Sequence, residues 1–144
     1  MKNDSTERIR FGPHVVTFVP PDLLVLEFAV PLEVDDCNRV LDHVYRTTAE
    51  RGPCKVLMDI TPLKSVPRDL REAVRARKDA SKHAALAFVG APFGVRVVLE
   101  MIIAAIRILK PERPRYPFAF FDHKEEALAW LHSQPRVASS NHAA

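Results

Sequence analysis

Three short apolar runs recur along the chain: "CKVLMDI" (54–60), "AALAFVG" (84–90) and "YPFAFF" (116–121), with helical periodicity between them. A run of that length with little polar alternation is the pattern of a strand covered on both faces. Strands that alternate with helices predict an α/β layered sheet, its parallel strands joined by right-handed crossovers. Ahead of them, "HVVTFVP" (14–20) and "LLVLEFAV" (23–30) are β-rich runs separated by Pro20, Pro21 and Asp22, the pattern of a tight hairpin. The predicted order is ββαβαβαβα, a single-layer mixed sheet with flanking helices.

The helices are read from spacing and end signals. Over 33–50, Val34, Cys37, Leu41, Val44, Tyr45 and Thr48 form one stripe, and Gly52-Pro53 stops the helix. A helix over 66–82 takes Ser65 as its N-cap, with Pro67 in the first turn, where its missing N–H costs nothing. A third helix covers 94–110. The last, over 123–132, starts from Asp122 as cap and buries Ala127, Leu128, Trp130 and Leu131.

With 144 residues, 47% hydrophobic and 27% charged, the chain suits one globular domain, assigned here to 11–132. Residues 1–10 and 133–144 lack periodicity and are expected to be flexible tails. A net charge of +3 is far below the concentrated basic character of duplex binders, so nucleic acid is not an expected partner. The greasiest run, 95–109, carries Arg96, Glu100 and Arg107 and falls short of the ~20 apolar residues of a membrane span. The start of the chain has no signal-peptide stretch, and a cytoplasmic location is the expectation. Cys37 and Cys54 fit small buried hydrophobes in a reducing compartment.

Residues able to do chemistry are sparse. Six histidines show neither His-x-x-x-His spacing nor an accompanying Cys-x-x-Cys, so no metal or other cofactor is expected. "GAPFG" (90–94) lies where a phosphate cradle would sit but lacks the glycine pattern and the Lys-Ser/Thr of one. Asp59 ends a strand and reads as a carboxylate capping its loop; nothing in the sequence brings it to His83. An enzyme is not the expectation.

The order of elements, the strand "VLMDI" ending on Asp59, the strand "ALAFVG" and the ending "PFAFFDHKEEALAWL" (117–131) together resemble the SpoIIAA-like proteins of the STAS domain superfamily. The resemblance covers about residues 14–132 and implies a small regulatory, protein-binding domain. In anti-anti-sigma members a serine in an Asp-Ser-Ser-Gly-type motif carries the switch, since a phosphate there adds about two negative charges. The matching stretch here is Pro67-Arg68-Asp69-Leu70, which keeps the aspartate and lacks the serine and the glycine. The resemblance thus implies a partner-facing surface at Asp59, Ser65, Arg68, Asp69, Arg71 and Arg75 that does not use phosphate as its switch. SpoIIAA-like sequences also share general architecture with CRAL-TRIO lipid-binding domains. That implies an alternative role as carrier or sensor of an apolar ligand such as a fatty acid or phospholipid.

Two further features bear on partners. Helix 66–82 carries six cations against Asp69, Glu72 and Asp79, and a second cationic group follows at Arg107, Lys110, Arg113 and Arg115. Helix 94–110 is apolar in nearly every direction, more than a helix on one side of a sheet requires. Leu99, Ile103 and Ile106 are therefore expected to serve self-association, as in a homodimer, or to cover an apolar ligand. A cavity beneath the helix favours a ligand, whereas a flat exposed patch favours association. Ile103 lies one helical step from the stripe of Arg96, Glu100 and Arg107, and is expected to face outward.

Overall fold

A computed structural model of the chain describes residues 5–78 and 80–136. Ten elements follow one another: β1 (Glu7–Phe11), β2 (His14–Val19), β3 (Leu23–Glu27), α1 (Val34–Arg51), β4 (Cys54–Asp59), α2 (Arg68–Ala76), β5 (His83–Val89), α3 (Phe93–Leu109), β6 (Phe118–Phe121) and α4 (Lys124–Ser133). The six strands lie side by side in the order of the chain. β1, β2 and β3 form an antiparallel meander, and β3 to β6 run parallel. The result is a mixed, mostly parallel sheet flanked by four helices.

Alternation along the parallel strands sorts side chains to two unequal faces. Val56, Leu86 and Phe88 point to the face carrying α1 and α3, where they join Val40, Val44, Val95 and Ile103. Leu57, Ala85, Ala87 and Val89 point to the other face, against Ala127 and Leu131 of α4. Small residues on both sides of that second contact let α4 come close to β4, β5 and β6. Lys55, on this face and buried, donates from Nζ to the Gln134 carbonyl at 2.7 Å, placing a cation at the negative end of α4. Cys37 and Cys54 are buried as expected. Burial pushes their thiols up to about 11 and about 12, which leaves them unreactive at neutral pH.

Several expectations need correction. Residues 7–10 are not tail: they form most of β1 and pair in register with β2 through Arg10↔Val15. This edge strand is exposed at every position but Phe11, so it carries no apolar alternation, and its charges protect the open edge. At the other end Ser133 closes α4 and Gln134 accepts from Lys55, so these two residues are not tail; residues 1–4 and 137–144 lie outside the described residues. α2 ends at Ala76 because Arg77 turns to an extended backbone (φ −61°, ψ 132°). Its guanidinium reaches across to Asn38 and Asp42 of α1. Neither expected cap forms. Pro67 occupies the N-cap of α2, and Asp122 instead accepts from Arg96 at 3.1 Å.

Gly90 ends β5 at φ +78°, and an added Cβ would lie 2.0 Å from Thr61 Oγ1 and 2.9 Å from Thr61 Cα. Left-handed strain and overpacking together should make Gly90→Ala cost roughly 2–5 kcal/mol. Gly94 lies in the first turn of α3, where an added Cβ meets nothing within 4 Å. Gly94→Ala should be neutral or stabilise by up to about 1 kcal/mol. Urea denaturation of the two variants checks this, and equal losses would contradict the assigned backbone.

Candidate functional site

The two helix layers close differently over the sheet. α4 packs down on alanines, whereas α3 meets the sheet through branched and aromatic side chains, Val95 and Ile103 against Leu86 and Phe88. α2 lies between α1 and α3 and has nine residues against eighteen and seventeen. At 1.5 Å per residue it spans about half the length of its neighbours. The space that it does not fill is a cavity of about 750 Å³, bounded by the sheet, α1, α2, α3, the segment 60–66, Arg77 and the segment 80–84. Its lining is mainly aliphatic. Leu99 and Ile106 both line it and stay partly accessible.

One rim of this chamber is basic. Arg51, Arg77, Lys82, Arg107, Lys110, Arg113 and Arg115 line it, where α1, α2 and α3 end and β4, β5 and β6 begin. Part of this charge has structural work. Lys110 Nζ donates to the carbonyls of Arg75 and Arg77, and Arg113 donates to those of Arg77 (3.1 Å) and Lys78 (3.3 Å), so both close the carboxyl end of α2. Arg107 donates to the Tyr116 carbonyl at 2.9 Å and lies over the Phe118 ring. Beside them His83 lines the chamber with its ring edge-on to Tyr116, centroids 4.9 Å apart. Its Nδ1 is buried without a hydrogen-bond partner. Burial lowers the imidazole pKa to about 4, so His83 is neutral at physiological pH.

The residues singled out from sequence divide. Asp59 Oδ1 accepts from the Thr61 N–H (3.1 Å) and hydroxyl (2.7 Å), capping its loop. It stands opposite Val89, while His83 pairs with Cys54, roughly 16 Å away along the strands, so the two form no dyad. Ser65 is exposed on the chamber's edge. Arg68 pairs with Glu72 at 2.8 Å, Asp69 accepts from the Leu70 N–H, and Arg71 donates to the Val66 carbonyl. Arg75 is exposed, and its carbonyl receives Lys110. These α2 residues lie outside the chamber lining, whereas the second cationic group, 107–115, forms much of its rim.

On α3, Leu99 and Ile106 face the chamber, and so does Ile103, which is buried rather than outward. A polar stripe has two flanks, and at 100° per residue Ile103 lies on the flank shared with Leu99 and Ile106. The opposite flank is the exposed one: Phe93 (81% exposed), Val97, Met101 (65%) and Ile108 (77%). Arg96 and Arg107 turn from the stripe towards β6, over the rings of Phe120 and Phe118. Among the described residues no helix is long and apolar enough to cross a membrane, and no cluster of three His, Cys, Asp or Glu could hold a metal. No protein-family model matches this chain, and no curated protein matches it in sequence.

The depressed pKa of His83 makes a pH prediction. The unfolded chain takes up a proton near pH 6.5 that the folded chain refuses until about pH 4. The stabilisation is complete above 6.5 and should fade as pH drops towards 4, by roughly 1–3 kcal/mol. His83→Phe, which cannot titrate, should lose less stability than wild type between pH 7 and pH 4.5 by that amount. Parallel urea curves for the two proteins across this window would contradict the burial of the imidazole.

Proposed function

We propose that this chain is a SpoIIAA-like module of the STAS type and that it acts by holding an apolar ligand in the chamber beneath α3. The observation that carries the reading is that chamber: about 750 Å³, mainly aliphatic, bounded by three helices and the sheet. Ligand pockets commonly measure about 300–1,000 Å³, with apolar walls and a few polar groups at one end. Moving about ten methylenes from water into such a space gains about 8 kcal/mol before ordering costs. The proposed role is binding rather than catalysis. Cys37 in the lining is held as a thiol, and Asp59 is spent on its own loop.

A second reading rests on a separate observation, the exposed flank of α3. Phe93, Val97, Met101 and Ile108 form one apolar strip, which suits docking of a second copy of this chain. The α2 surface at Arg68, Asp69, Arg71 and Arg75 remains a proposed protein contact only through the STAS resemblance.

Titration with the neutral fluorophore N-phenyl-1-naphthylamine separates the two readings. The chamber reading expects one saturable site per chain. Ile106→Trp should fill the space and weaken the probe about tenfold or more, with circular dichroism unchanged. Leu99→Trp is the independent second filler. Met101→Glu should leave probe binding intact. If Met101→Glu abolishes probe binding and lowers the mass by light scattering while Ile106→Trp does neither, the outer strip is the working surface. Ile103→Glu, by contrast, should unfold the domain, since it would bury an unpaired charge.

A further inference from the structure

We infer that the ligand of this chamber carries an uncharged hydroxyl, received by the imidazole of His83 at the end of the chamber where β5 and β6 begin. The inference rests on the chamber reading and adds the polar group of what enters. Regular alternation would put His83 on the α4 face beside Ala85 and Ala87. The register shifts between Cys54 and Lys55, so His83 instead stands opposite Cys54, which belongs to the core on the α1 and α3 side. Its imidazole lines the chamber as a result. Re-aiming one side chain is a recurrent use of a bulge beside a site.

The bulge thus delivers a polar ring to a mainly aliphatic wall. Packing alone does not account for that ring. The edge-on contact with Tyr116, centroids 4.9 Å apart, needs only an aromatic side chain, and phenylalanine would supply one without burying nitrogen. Nδ1 of His83 is buried with no partner, so the imidazole costs stability as the protein stands. With Nδ1 shut in, Nε2 is the nitrogen left to meet a ligand. Among the described residues no hydrogen bond engages it.

Charge state and competition select the hydroxyl. Burial lowers the imidazole pKa to about 4, so the ring meets the ligand neutral. Nε2 then offers one hydrogen or one lone pair, and a hydroxyl, donor and acceptor at once, matches either tautomer. A carboxylate only accepts, and beside a neutral ring it would be buried as an unpaired charge. The rim cations are already committed elsewhere. Arg107 donates to the Tyr116 carbonyl, Lys110 and Arg113 to carbonyls at the end of α2, while Lys82 and Arg115 are exposed.

The test displaces N-phenyl-1-naphthylamine from the full chain at pH 7.5 with decan-1-ol, decanoate and 1-chlorodecane. Wild type should bind the alcohol at least about tenfold more tightly than decanoate. His83→Phe should weaken the alcohol by about tenfold and leave the probe and 1-chlorodecane within about twofold of wild type. A second readout needs no variant to bind. In wild type labelled with ¹⁵N-histidine, the resonance that is missing from His83→Phe should shift on adding decan-1-ol and stay in place with 1-chlorodecane. Decanoate binding as tightly as the alcohol would overturn the uncharged head. An unshifted His83 resonance, or equal losses of alcohol and 1-chlorodecane in His83→Phe, would overturn the hydrogen bond and leave the chamber reading standing. Failure of the probe, the alcohol and 1-chlorodecane alike would overturn the chamber reading itself.

Discussion

Each parallel strand of this sheet lies beside the one that precedes it in the chain, and this order determines where everything else can go. A right-handed crossover between adjacent parallel strands places its helix on a defined side. When three crossovers step in the same direction, β3 to β4 to β5 to β6, their helices fall on the same side. α1, α2 and α3 therefore share one face, and the other is left to α4. A doubly wound sheet reverses direction and divides its helices between faces. Here there is no reversal, and hence no crevice between diverging strands at the carboxyl ends. The available concavity forms among the helices themselves.

Side-chain size then decides which face closes. Ala85, Ala87 and Ala127 are fully buried against one another's elements, so α4 lies flat on the sheet and its face is solid. On the three-helix face, Leu86, Phe88 and Ile103 hold α3 off, and the short α2 cannot fill the interval that results. Filling it with protein would need a longer α2, but Arg77 diverts the chain towards α1 and the cations of the α3–β6 segment bind the carbonyls exposed there. The same contacts that terminate α2 thus hold the chamber's rim in place. Its shape and its charge have a common cause.

Much of this was legible in the residues, and the exceptions have physical reasons. β4, β5, β6 and all four helices follow from apolar runs and spacing, because burial on two faces or one leaves a strong pattern. β1 left none: an edge strand exposed on both faces needs only backbone pairing, and "ERIRF" looks like a charged tail. The end of α2 was equally hidden, since "RKDASK" contains no breaker and the helix stops through long-range bonds from Arg77. For Ile103, the stripe of Arg96, Glu100 and Arg107 identified a boundary but not which flank lay inside. Of the site, the greasy α3 and the 107–115 cations were visible as separate features. Their meeting with His83 around one cavity depends on three segments distant in sequence, which spacing along one helix cannot report.

The central claim is that the space between α3 and β5, rather than the outer strip of α3, receives an apolar chain. Crystals grown with a long-chain alcohol brominated near the end of its tail would test it directly, because bromine is located by its anomalous scattering. The account predicts a bromine peak enclosed by Leu99, Ile103, Ile106 and Phe88. A peak seated only against Phe93, Met101 and Ile108, with the chamber empty or closed, would contradict it.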